Sequence, residues 1–143
     1  MEIIKKELHQ LFSECSALQL ATLFEASLYN LTEQLSEAYK NGVWEFHWYS
    51  ETIERPYPFL RPVLICDNIY PVNNPNRQCT EALTAEELSD VSSSILMCSW
   101  LEQLNEHDQF SSCDKEHPLI TLLYDSYHGI RQVASLKVLS ILD

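Results

Sequence analysis

The sequence predicts an α+β fold: a small antiparallel β-meander packed against several α-helices in one compact domain spanning residues 1–143. Three observations carry that expectation. A two-residue alternation at Val43 to Tyr49 stands between segments with helical spacing. Only two glycines and no Gly/Ser- or Pro-rich linker interrupt the chain. A length of 143 residues with 45% apolar content suits a single core.

Taken in order, Ile3 to about Cys15 reads as a short amphipathic helix with Ile4, Leu8 and Leu11 or Phe12 on one side. From Leu20, the positions Phe24, Leu28, Leu31, Leu35 and Tyr39 step by three and four, which predicts one stripe of a long helix stopped by Asn41 and Gly42. In VWEFHWY, Trp44, Phe46 and Trp48 share one strand face and Glu45 and His47 the other, so the three large rings are expected to point inward onto the long helix. Three prolines make Arg55 to Pro62 a loop or edge segment leading into a second strand, VLICD. Pro71 to Asn76 reads as a turn, and Gln78 to Leu83 as a third short strand.

Thr84-Ala-Glu-Glu87 is a capping box, so a helix starts there, with Leu88, Val91, Ile95 and Cys98, and Leu101 or Leu104 beyond, as its expected buried stripe. Its acids would lie mostly on the opposite side. Pro118 suits the first turn of the next helix, where its missing N–H costs nothing. Gly129 is expected to bend or divide that helix before an apolar pattern resumes towards Asp143.

Charge narrows the function classes. Nine Lys and Arg against 21 Asp and Glu give a net charge of −12. Between Glu81 and Asp125 ten acids face one base, Lys115. Direct binding to DNA or to an anionic membrane is disfavoured, because phosphate binding is driven by Lys and Arg displacing counterions. The aromatic strand lacks the basic surround of an RNA-stacking platform. No apolar run approaches the ~20 residues of a membrane span, and the N-terminus carries charges where a signal peptide needs an unbroken apolar stretch. A cytoplasmic location is expected. The five cysteines, Cys15, Cys66, Cys79, Cys98 and Cys113, are odd in number, with no C-x-x-C, and read as reduced thiols.

The chemistry of the common catalytic motifs is missing. There is no phosphate-cradling glycine loop, no G-x-S-x-G and no H-E-x-x-H. His107, Cys113 and His117 lie near one another in sequence, but a metal needs three or four converging ligands. Cys66 and Cys98 have no basic or helix-start neighbourhood to activate a thiol. The expectation is a non-catalytic protein with no cofactor and no metal, acting by binding another macromolecule.

Several strings, in their order, resemble the ArdB/KlcA antirestriction family. SEAYKNGVWEFHWY places Gly42, Trp44 and Phe46 on that family's Gly-aromatic strand. YHGIR, with Tyr127, His128, Ile130 and Arg131, sits where the family has Y-H-x-L-R, and the chain ends LSILD at Asp143. The segment ETIERPYPFLRP departs from the family's glycine-rich stretch. The resemblance implies inhibition of host type I restriction, without catalysis or a cofactor, through a protein of a bacterial restriction system. Another nuclease defence system, such as a CRISPR effector with a basic nucleic-acid channel, is the alternative target. The acids Glu86, Glu87, Asp90, Glu102, Glu106 and Asp108 are the expected partner-facing surface, because concentrated negative charge is relieved by a basic partner. Asp143 joins them as a carboxylate set against its helix dipole. Arg131 and His128 are expected to pair or orient surface carboxylates.

Overall fold

The computed structural model describes residues 2–105 and 117–143. Strand β1 (Ile3–Lys5) leads into helix α1 (Leu8–Glu14), a 3₁₀ turn (Leu18–Leu20) and helix α2 (Ala21–Leu35). Strands β2 (Val43–Tyr49), β3 (Phe59–Ile65), β4 (Ile69–Asn74) and β5 (Cys79–Thr84) follow, and then helices α3 (Ala85–Asn105), α4 (Pro118–Val133) and α5 (Leu136–Leu142). The strands form two antiparallel sheets, one in the order β1-β2-β3 and one a β4-β5 hairpin. This is the α+β arrangement that the alternating and helical segments predicted.

Strand β2 has the bounds that its alternation gave. Its three large rings are half-buried and pack against the main core, while Tyr49, on the opposite face, is the buried residue of the strand. The reason is register: Tyr49 pairs with Phe59, and the two rings stack at 4.6 Å. Strand β3 begins before VLICD, at Phe59, and takes in Arg61 and Pro62. Its outer edge shows why a proline fits. The Leu60 N–H donates to Ser126 Oγ at 2.9 Å and the Leu64 N–H to Ser89 Oγ at 2.7 Å. Pro62 lies midway and has no N–H to satisfy. Helices α4 and α3 thus seal an edge that would otherwise template another strand.

Four expectations are corrected. Ile3–Lys5 is strand, not helix, because it completes β2: Ile4 pairs with Trp48, and the Lys6 N–H donates to Phe46 O at 2.8 Å. Helix α2 ends at Leu35, short of Asn41-Gly42, where Ser36 turns extended. Tyr39 therefore reaches the core from a turn, and its hydroxyl accepts the Trp44 indole N–H at 3.0 Å. Pro71 to Asn74 continues β4 with Tyr70, Val72 and Asn74 inward, since a proline is tolerated on an edge strand. Gly129 neither bends nor divides α4. A Cβ there would fall 2.4 Å from the Phe59 ring, so this glycine lets the helix lie directly on β3.

The larger core joins α1, α2, α4 and the C-terminal half of α3 around Phe12, Phe24, Phe59 and Trp100. The smaller joins the hairpin and α5 to the N-terminal half of α3 around Tyr70, Leu83, Leu88 and Val138. Helix α3 serves both cores and is therefore buried on every side from Leu88 to Ser94. Serines at 89, 92, 93 and 94 are small enough to permit that crowding.

Candidate functional site

Helix α3 starts as its capping box requires. The Glu87 N–H donates to Thr84 Oγ1 at 3.1 Å, and the Thr84 N–H donates to Glu87 Oε1 at 3.0 Å. Glu87 also accepts from Ser135 Oγ at 2.7 Å, which ties the start of α3 to the start of α5. Burial pushes its carboxyl up. The Thr84 and Ser135 hydrogen bonds and the Lys137 charge outweigh that and hold it below the ordinary carboxylate range.

Asp90 corrects the expected partner surface. It is 2% exposed and grips Arg61 with both oxygens, Nε to Oδ1 at 2.9 Å and Nη2 to Oδ2 at 2.7 Å. The guanidinium also donates to Tyr49 Oη at 2.7 Å and to Glu86 Oε1 at 3.2 Å. Burial pushes the Asp90 carboxyl up against the pull of Arg61. The guanidinium, disfavoured by that same burial, is held charged by Asp90 and Tyr49. Asp90 is a buried lock between β3 and α3, inaccessible to a partner.

The remaining acids of this helix do not share a face. Glu86 and Glu102 are exposed, but sixteen residues of α-helix place them ~24 Å apart along the axis and about 160° apart around it. Among the described residues, α3 carries no continuous strip of carboxylates. Glu106 and Asp108 lie outside the described residues, as do His107 and Cys113 of the considered metal set. No group of three or more His, Cys, Asp and Glu side chains is placed to hold a metal among the described residues.

The expected stripe holds at Leu88, Val91 and Leu104 and fails between them. Ile95 and Cys98 are exposed, whereas Ser93, Met97, Trp100 and Leu104 are buried. Those four keep a helical step, and so does Ser89; reading serine as a core residue would have led through Ser93, Met97 and Trp100 to Leu104. The consequence is an outward face of Ile95, Cys98 and Glu102 that meets Tyr127 of α4 and Leu142 of α5 around an open groove of about 270 Å³. Beside it, Arg131 lies over the Tyr127 ring at 5.6 Å and is ion-paired with Asp143. His128 packs edge-on against Tyr124 at 4.4 Å and Tyr127 at 5.2 Å. The Asp143 hydrogen bond is the chief cause holding the Arg131 guanidinium above its ordinary value. A carboxylate at the end of α5 faces the wrong pole of the helix dipole, and Arg131 compensates it. The pairing expected of Arg131 is present, while His128 meets aromatic rings.

This corner combines an apolar floor with two exposed carboxylates, Glu102 and Asp143, and one guanidinium already engaged. Such a surface accommodates an apolar side chain whose neighbours are basic.

No family model matches the sequence, and no curated protein matches it. Among solved structures, the fold is similar to that of the KlcA and ArdB proteins, with a TM-score of 0.62 at 14% identity over 99% of this chain and 93% of that one. That work describes a novel fold and antirestriction activity against type I DNA restriction systems in vivo but not in vitro. The present chain shares that fold.

Proposed function

We propose that this chain is an anti-defence protein that restrains a type I restriction system by binding a protein component of it, without catalysis of its own. The observation that carries this reading is the likeness of fold to KlcA and ArdB over 99% of the chain. A second observation supports a location for it. Tyr127, Arg131 and Asp143 belong to two strings that carry the family resemblance, and they meet at one corner of the fold.

The partner-facing surface of this reading is the groove of α3, α4 and α5, with Glu102 and Asp143 supplying the negative charge. Glu86 and Glu87, bound to Arg61 and Ser135, hold the fold instead. A net charge of −12 favours a basic protein surface over nucleic acid. No helix among the described residues is long and apolar enough to cross a membrane, and the reading places the protein in the cytoplasm, where restriction acts.

The test belongs in cells. Unmodified phage is plated on hosts that each carry one defined defence system, with and without this protein. The expected result is restored plating on the type I host alone. Unchanged plating on every type I host, with the protein folded and abundant, overturns the proposal.

A further inference from the structure

Strand β2 is longer than its neighbour. The ladder between β1 and β2 runs through the pairs Ile3–Tyr49, Ile4–Trp48 and Lys5–His47, and its last rung is the Lys6 N–H to Phe46 O. At Leu8 the chain turns into α1 and leaves the sheet. On the other side of β2, the Leu64 N–H, opposite Trp44, is given to Ser89 instead of to β2. Trp44 therefore directs its own N–H and C=O away from β3, towards the side that β1 has vacated.

That side is a cleft of about 430 Å³ between β2 and the first two helices. Its walls include the half-buried rings of Trp44, Phe46 and Tyr29, with Tyr29 and Trp44 at 5.7 Å. Glu7 and Glu25 also line it, and neither forms an ion pair among the described residues. The two lysines at the rim are occupied: Lys5 is bound to Glu45 at 2.7 Å, and Lys6 lies over the Trp48 ring at 4.9 Å. Glu25 stands one helical turn before Tyr29 on α2, and burial, followed by the Glu25 charge and hydrogen bond, pushes the Tyr29 hydroxyl up to about 12.

We infer that this cleft binds an extended segment of a partner protein, which adds to the open edge of β2 at Trp44 and sets a lysine or arginine side chain between the aromatic wall and Glu25. A donor and an acceptor on one strand residue with no backbone partner among the described residues are what strand addition uses, and the adjoining pocket selects the side chain. Rings beside a carboxylate favour a cation, through the ring quadrupole and through charge. This goes beyond the antirestriction reading, because it concerns a different part of the surface and holds for any partner that presents such a segment.

The probe is a blocked peptide, acetyl-Thr-Val-Arg-Val-Thr-amide, titrated into the ¹⁵N-labelled full chain. The expected result is a saturable shift of the Trp44 amide and indole resonances with slowed exchange of the Trp44 amide. Methylating the peptide backbone nitrogens should abolish it. Glu25→Gln should weaken binding by about two- to fivefold, the scale of an exposed charge contact, with the spectrum otherwise unchanged. Three results overturn the inference: no saturable Trp44 shift at millimolar peptide, equal binding of the N-methylated peptide, or equal binding when glutamate replaces the arginine.

Discussion

Two arginine–aspartate pairs hold this molecule together, and they differ in almost everything except their chemistry. Arg61 and Asp90 have side chains 8% and 2% exposed; in Arg131 and Asp143 the figures are 26% and 61%. The first pair is bidentate, is joined by Tyr49, and sits between a strand and the central helix. The second links the last residue to α4 at the rim of a groove. Burial decides what each does. Losing one partner of a desolvated pair strands a charge in low dielectric, whereas losing one partner of an exposed pair leaves the other to water. The inner pair is thus tied to folding, and the outer pair is open to recognition.

The largest expected effect follows from that contrast. Arg61→Ala should destabilise by ~3–5 kcal/mol, because Asp90 is left buried and alone. Replacing both partners by well-packed apolar residues, as in Arg61→Met with Asp90→Leu, should recover most of the loss. Urea midpoints of the three proteins check this. A double variant as unstable as the single one would show that the pair is needed for more than charge compensation.

Glu87 is half-buried, and its loss should fall between those of the two pairs in effect. Thr84→Ala removes one arm of the capping box and should cost ~1 kcal/mol. Glu87 also titrates with a definite sign. Its carboxyl is lowered in the folded protein, so its contribution is complete above the ordinary carboxylate range and is lost as pH falls through the lowered folded value. In a melting series across the acid range, Glu87→Gln should flatten that part of the pH dependence. An unchanged slope would remove Glu87 from the account.

The smallest effect on stability should accompany the largest effect on function. Arg131→Ala and Asp143→Asn should each cost about 0–1 kcal/mol, and salt should erase most of the difference from the parent. Both should reduce protection in the plating assay if the groove is the partner surface. Full protection by both, at parental abundance, would make this pair a simple fastening of α5 and would move recognition elsewhere.

One further measurement separates the two edges of the main sheet. The Trp44 amide, facing the cleft, should exchange with solvent faster than the amides of Leu60 and Leu64, which are bonded to buried serines. Equal protection would mean that the Trp44 edge is covered and would remove the ground for strand addition there.

What the sequence determined by itself was local. The alternation of VWEFHWY set both ends of β2, because a period of two is a property of consecutive residues. The capping box started α3 and Pro118 opened α4, because each satisfies the backbone within one turn. The Tyr127–Arg131 spacing put a ring under a guanidinium for the same reason. What only the tertiary structure decided was which side of an element faces inward and where distant segments pair. Ile3–Lys5 is strand because β2 offers it an edge. Asp90, Ser89 and Ser93 are core because α3 is enclosed by a strand, a hairpin and other helices, so that no water-facing side remains from Leu88 to Ser94. A pattern of apolar spacing reports the side that faces the core only while the other side faces water. Where a helix has no water-facing side, small size and a buried partner decide what is inside, and both depend on residues far away in the chain.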